Sequence, residues 1–161
     1  MIKKVVMYLT VTLSAMLLTA CGFQLRGSYA VPLSMQNICL DSQAAPLLGK
    51  ELTKRLQRSN VRLTQDADCT KLNLVSAELE RAVLSLFPNA QVAEYELIYT
   101  VNYVLIHHSQ PQQYSVQVVR DYQDDPDAVL AKSKEMKILL SELRRYAAEQ
   151  ILLQLASSEN R

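Results

Sequence analysis

Apolar and aromatic side chains alternate with other residues from Tyr95 to Ile106. A period of two places one set of side chains on a single face of a strand, so this segment predicts a half-buried β-strand. Weaker versions of the pattern predict strands over Leu72–Leu86 and Gln113–Tyr122. The apolar parity of Leu72–Leu86 changes near Ser76, which indicates a β-bulge or a second buried face.

Two segments follow a helical period instead. Ala45–Arg58 carries leucines at a spacing of four behind a proline, and a second helix is predicted from Asp124 to about Leu155, where Asp and Pro form a strong helix start. Short apolar runs predict further strands at Asn37–Leu40 and Val61–Thr64. These elements predict an α+β fold with two helices packed on one face of a roughly four-stranded, largely antiparallel sheet.

The N-terminus reads differently from the rest of the chain. Lys3 and Lys4 precede the uncharged segment Val5–Leu18, which is shorter than the ~20 apolar residues of a membrane-spanning helix. A positive start and a short apolar core are typical of a secretory signal. Leu18–Cys21 then matches the box at which bacterial lipoproteins are acylated and cleaved, so Cys21 is predicted to become the lipid-bearing N-terminus.

Gly22 follows this cysteine, and a residue other than Asp there favours the outer membrane, facing the periplasm. We therefore expect a cleaved signal peptide over residues 1–20, a lipidated tether over 21–32, one α+β domain over 33–156 and a short tail over 157–161. Apart from the covalent lipid on Cys21, the sequence predicts no cofactor.

Charge and motifs narrow the function classes. Without Lys3 and Lys4 the chain keeps 15 basic and 16 acidic side chains, a balance that gives no pull towards nucleic acid. No nucleophile elbow, phosphate-binding glycine loop or zinc-protease motif occurs. His107 and His108 are adjacent, so on a strand they are expected to point to opposite faces. We predict no catalytic residue and no metal site.

Cys39 and Cys69 remain after Cys21 is assigned to lipid. The periplasm is oxidising, so a disulfide between them is allowed. Two buried free thiols are the simpler interpretation, because spacing along the chain does not show whether two Cα atoms approach within bonding range.

Several short motifs resemble those of one family, the lipopolysaccharide-assembly lipoprotein LptE. Its mature N-terminus is similar to Cys21–Gly27, and its strand opening is similar to Ala93–Leu97. Its final strand and long helix resemble Val119–Tyr122, Leu130–Lys132 and Ala147–Gln150. The matches are scattered over nearly the whole mature chain, and their order and spacing carry the resemblance.

The resemblance implies a non-catalytic lipoprotein anchored in the outer membrane. Members of this family plug and help assemble the LptD β-barrel, and they bind lipopolysaccharide. Lys132 falls on a basic ligand contact of the family, and the barrel-contact candidates form one turn: Phe87, Pro88, Asn89, Ala90 and Gln91. The family also has a basic contact just after the Phe, where this chain has Pro88. Arg81 is a replacement for which the sequence gives no argument.

Two alternatives stay open. The lipoprotein box and the tyrosine-rich strands fit a free, periplasm-facing lipoprotein that binds lipids or glycans without a barrel partner. An outer-membrane-anchored hydrolase rests on location alone. Lys132 itself also fits a solvated helix lysine, and the resemblance is what raises it to a ligand-contact candidate.

Overall fold

The computed structural model describes residues 31–157, together with Lys3 and Lys4. The predictions for the signal segment and for Cys21 lie outside these residues. The helices and strands follow in this order: β1 (Asn37–Asp41), α1 (Pro46–Arg58), β2 (Arg62–Leu63), β3 (Thr70–Leu86), β4 (Val92–His107), β5 (Gln110–Gln123) and α2 (Val129–Ser157). Two 3-10 turns complete the set, at Leu33–Met35 and Pro126–Ala128. No helix in this part of the chain is both long enough and apolar enough to cross a bilayer.

The five strands form one sheet in the order β2-β1-β3-β4-β5. β3, β4 and β5 are antiparallel neighbours, whereas β1 runs parallel to both β2 and β3. The predicted α+β class is confirmed, with five strands instead of four. The fifth strand, β2, lies within the predicted strand Val61–Thr64 and has only two residues.

A tight turn and a β-bulge shape the long antiparallel strands. His108 and Ser109 connect β4 to β5, and both have positive φ, at 48° and 62°. A two-residue turn of this kind matches the natural twist of paired strands. The predicted irregularity in β3 is confirmed, because its register against β4 shifts between Leu74 and Ser76. The shift lets apolar residues of both parities face the helices.

The core lies between the two helices and one face of the sheet. The alternating residues of β4 supply its centre, and Leu97 and Val101 are fully buried there. Tyr103 is also buried, and its hydroxyl donates to Gln154 Oε1 of α2 at 2.6 Å. Burying one such aliphatic side chain contributes roughly 1.5–3 kcal/mol. The other sheet face is mixed: Thr100 and its neighbours on β3 and β5 are polar, whereas Ile98 and its neighbour Val119 are apolar.

α1 begins and ends as its sequence suggests, whereas α2 begins at Val129, five residues after the predicted start at Asp124. α1 starts at Pro46, and the left-handed residue Asn60, with φ of 60°, follows its end. Before α2, the Asp125 side chain accepts a hydrogen bond from the Asp127 amide and so caps the 3-10 turn. The fully buried side chains of α2 begin only at Leu143. Its first turns are therefore free to build a surface with the β3–β4 loop.

Candidate functional site

The β3–β4 loop, the end of β5 and the start of α2 meet at one end of the domain, here called the distal end. A cleft of about 510 Å³ opens between them. Lys132 and the loop both line it, so two groups of residues singled out in the sequence are brought together. Its lining is Phe87, Asn89, Gln91, Gln123, Asp124, Asp125, Pro126, Asp127 and Lys132.

The Phe87–Gln91 loop has a defined internal structure. The Phe87 amide donates to the Gln91 carbonyl at 2.8 Å, and the Ala90 amide donates to the Phe87 carbonyl at 2.9 Å. The Asn89 side chain bonds Gln91 through its amide nitrogen at 2.9 Å and accepts from the Gln91 backbone at 3.1 Å. Ala90 has a positive φ of 64°. These bonds hold the loop in one shape, with the exposed Phe87 ring at its base.

Lys132 reaches across the start of α2. Its ammonium lies 2.9 Å from Glu135 Oε2 and 5.3 Å from the centre of the Tyr122 ring. The hydrogen bond to Glu135 raises the pKa of Lys132, and partial burial opposes this effect. Lys132 therefore stays a cation at neutral pH. An ammonium held in this way can donate to a phosphate or a carboxylate.

Tyr122 forms the floor beneath this lysine. It is buried, its ring stacks on Tyr95 with centroids 6.5 Å apart, and its hydroxyl donates to Asp124 Oδ1 at 3.5 Å. Burial is the main cause that raises the pKa of the Tyr122 hydroxyl, and Asp124 adds to it. The hydroxyl is therefore neutral at physiological pH.

A second cleft of about 480 Å³ lies on the other side of Lys132. Besides Lys132 it presents two cations, Arg81 from β3 and Lys137 from α2. The alternation of β3 places Arg81 on the side of the sheet that the helices cover. Beyond the bulge, Leu79, Arg81 and Val83 share one face of the strand, and Leu79 packs against the core on that face.

The cysteine pair lies at the opposite end of β3 from these clefts, because Cys39 is paired with Lys71 at the start of that strand. The structure joins Cys39 of β1 to Cys69 by a disulfide, with their Cα atoms 5.7 Å apart. Nearby, Thr70 Oγ1 and His107 Nδ1 are 2.9 Å apart and hydrogen-bonded.

The expectation that the two histidine rings point apart is wrong. His108 lies in the turn with positive φ, not on the strand, and its ring centre is 4.0 Å from that of His107. Residues 31–157 nevertheless contain no group of three or more His, Cys, Asp or Glu side chains that could hold a metal ion.

Comparison with known proteins identifies the family. The family model described as "LptE: Lipopolysaccharide-assembly" matches residues 30–155. This chain belongs to the LptE family. An LPS-assembly lipoprotein LptE of Pectobacterium atrosepticum is 36% identical over 148 residues, covering 88% of this chain and 80% of the relative. A Yersinia pestis LPS-assembly lipoprotein LptE is also 36% identical, over 88% of this chain and 71% of its own length.

Solved structures agree with the LptE assignment. The crystal structure of rare lipoprotein B from Shewanella oneidensis has a TM-score of 0.70 at 40% identity, over 76% of this chain and 96% of that one. A solution structure of lipoprotein B from Nitrosomonas europaea also has a TM-score of 0.70, at 24% identity over 86% and 93% of the two chains. The second likeness shows the fold alone. The resemblance found in the short motifs is thus confirmed at the level of the family.

Proposed function

We propose that this LptE-family chain is an outer-membrane lipoprotein, acylated at Cys21, that plugs and helps assemble the LptD β-barrel. In the same role it binds lipopolysaccharide during delivery to the outer leaflet. The observation that carries the proposal is the family match across residues 30–155. The proposed role is non-catalytic, and it uses no cofactor apart from the covalent lipid.

The surface of the domain suits a protein that sits inside a barrel. The lumen of a large outer-membrane barrel is polar, so its plug needs a polar outer surface. Much of the sheet face that points away from the helices is of this kind, since it carries hydroxyl, amide and carboxylate side chains such as Ser76, Asn102 and Ser115. Ile98 and Val119, which are paired with each other, interrupt this polar surface. The rigid Phe87–Gln91 loop adds an exposed aromatic ring beside polar groups, a composition typical of contact residues.

Of the two distal clefts, the one of about 480 Å³ suits an anionic amphiphile better, because Arg81, Lys132 and Lys137 line it. The other cleft presents Lys132 beside three aspartates. Lys132 is charged and half-buried, and its partner Glu135 is one helical turn away on the same surface. Lipid phosphates are strong hydrogen-bond acceptors that attract Lys and Arg. Lys132 is therefore our candidate contact for the lipopolysaccharide, and Phe87–Gln91 is our candidate contact for the barrel.

Co-purification tests the barrel part of the proposal. A tagged chain extracted in mild detergent is expected to bring down LptD in a one-to-one complex. Phe87→Ala should lower the recovered barrel, whereas His108→Ala, an exposed turn residue at the other end of β4, should not. Recovery of the lipoprotein without any barrel would overturn the proposal and favour a free, periplasm-facing lipid- or glycan-binding lipoprotein.

Depletion tests the delivery part, and a cysteine variant tests the anchor. Loss of the chain should leave the barrel misassembled and lower the lipopolysaccharide on the cell surface. A normal surface level after depletion would contradict the delivery role. Cys21→Ser should lack acylation and be lost from the outer-membrane fraction. Full retention of this variant in that fraction would contradict the lipid anchor.

A further inference from the structure

Arg81 and Arg120 occupy matching positions on the helix-covered face of the sheet. In the strand register both lie opposite Leu97 of β4, Arg81 from the β3 side and Arg120 from the β5 side. Strands in a sheet are about 4.8 Å apart, so the two arginine backbones are separated by roughly 10 Å. Both residues are exposed. The sheet therefore offers two arginines of similar position whose surroundings can be compared.

Their surroundings differ in one respect that bears on ligand binding. Arg81 lines the 480 Å³ cleft together with Lys132 and Lys137. The Arg120 guanidinium instead lies 4.8 Å from the centre of the Tyr146 ring and does not line that cleft. Only Arg81 faces the lysine that the family resemblance singles out.

The charges around the cleft leave Arg81 open to a ligand. Lys132 is paired with Glu135, while Arg81 forms no ion pair with any residue between 31 and 157. Two carboxylates also line the cleft and keep their charge, but neither forms an ion pair with Arg81, and each accepts a backbone hydrogen bond instead. Asp124 Oδ1 accepts from the Asp125 amide at 2.9 Å, and Asp125 Oδ1 accepts from the Asp127 amide at 3.0 Å.

The remaining wall of the cleft is apolar. Pro126, Val129 and Met136 line it, and Val129 is 66% exposed although it is a large aliphatic residue. An inorganic anion needs no such wall. An anionic headgroup that continues into hydrocarbon would use the cations and the apolar side chains together.

We propose that Arg81 supplies the second cation of the lipopolysaccharide site, in place of the basic residue that is absent at Pro88. Its guanidinium and the Lys132 ammonium take one phosphate ester of the lipid, and the apolar wall takes the start of an acyl chain. This inference rests on the proposed function, since it assumes that lipopolysaccharide is the ligand. A planar guanidinium suits it because it can grip two phosphate oxygens at once.

The test compares two single substitutions that remove the same charge from the same row of the sheet. The purified lipoprotein in detergent is titrated with lipopolysaccharide as wild type, Arg81→Gln and Arg120→Gln. Losing one charge-assisted contact should weaken binding by about tenfold for Arg81→Gln. Arg120→Gln should bind as the wild type does, and Arg81→Lys, which keeps the charge, should retain most of the affinity. Thermal unfolding of each variant checks that the fold is kept.

If the wild type binds lipopolysaccharide and Arg81→Gln binds it with the same affinity, this inference is wrong and the proposed function is unaffected. Equal losses for Arg81→Gln and Arg120→Gln would also overturn it, because the effect would then reflect net charge and not a site. If the wild type binds no lipopolysaccharide, the ligand in the proposed function is wrong and the inference falls with it.

Two further probes separate the possible sources of the phosphate. With dephosphorylated lipopolysaccharide, the wild type and Arg81→Gln should bind equally, and a persisting difference would overturn the phosphate assignment. Inorganic phosphate at millimolar concentration should compete weakly with lipopolysaccharide. Complete competition at low concentration would identify a free phosphate site and overturn the role of the apolar wall.

Discussion

The disulfide between Cys39 and Cys69 should provide a large share of the stability of this domain. It closes a loop with a sequence separation of 30 residues, which contains α1 and β2. In the chain-entropy model, a cross-link over such a loop stabilises by about 3.6 kcal/mol at 25 °C. The free energy of unfolding of a small domain is only about 5–15 kcal/mol. The double substitution Cys39→Ala with Cys69→Ala is therefore expected to cost a substantial part of the total.

This loss can be converted into a melting temperature. Unfolding entropy is about 2.1 cal/mol/K per residue, or roughly 0.27 kcal/mol/K for residues 31–157. A loss of about 3.6 kcal/mol then lowers Tm by about 13 °C. Thermal unfolding followed by far-UV circular dichroism measures the shift. Hydrogen exchange should show the loss of protection first in α1, which the closed loop contains.

Reductant provides the control for this experiment. It should lower the Tm of the wild type by a similar amount and leave the double variant unchanged, because the variant has no bond to reduce. A fall of less than about 3 °C in both experiments would refute the entropic reasoning. It would mean that packing and strand pairing hold α1 and β1 in place without the disulfide.

Three other predictions concern single positions. Burial is the main cause that raises the pKa of Tyr103, so stability should fall as pH rises above about 10, where the unfolded chain loses this proton and the folded one does not. Tyr103→Phe should make that alkaline fall shallower in urea titrations. Gly49→Ala should destabilise by about 1–2 kcal/mol, because its methyl group would meet the Ser42 side chain and overpacking outweighs the gain in helix propensity. Ala90→Gly should stabilise by about 1 kcal/mol, because Ala90 has positive φ.

Each of these three has an internal control. For Tyr103 the comparison is the slope of stability against pH below 9, where both proteins should behave alike. Ser42→Gly combined with Gly49→Ala should recover much of the lost stability, and a failure to recover would show that another neighbour is responsible. The control for Ala90→Gly is Ala131→Gly in α2, which should lower stability because glycine has a poor helix propensity. If Ala90→Gly lowers it too, the positive φ carries no strain.

Local patterns predicted the elements that bury one face. β4 was clear because every second side chain from Tyr95 to Leu105 packs against the helices. The bulge near Ser76 showed as a change of parity. The sequence also predicts a strand at Val61–Thr64, but the two residues of β2 carry no period that fixes their place in the sheet, because their pairing depends on where α1 returns the chain. The parallel placement of β1 between β2 and β3 was equally out of reach, since it joins residues distant in the sequence.

The candidate site could be predicted only in part. Lys132 and the Phe87–Gln91 loop were found through the family resemblance, and their meeting at one cleft required the structure. Arg81 was overlooked as a partner of Lys132 although its parity with Leu79 was readable. The register of β3 shifts again between Val83 and Ser85, so strand alternation alone does not fix how the end of β3 approaches α2. Convergence of that kind is decided by tertiary packing.

The strand order also bears on how the chain acquires its fold. β1 leaves the ribosome before the other strands, yet its main partner is β3, with Ile38 opposite Thr70. The β3–β4–β5 segment needs only two short turns to pair with itself, which is the cheaper loop closure. We expect pulse-labelled hydrogen exchange to protect β4 before β1. β1, which is synthesised first, would then remain unpaired until the later strands β3, β4 and β5 have formed their part of the sheet. We therefore expect a chaperone that acts on the unfolded chain to bind chiefly in its N-terminal half.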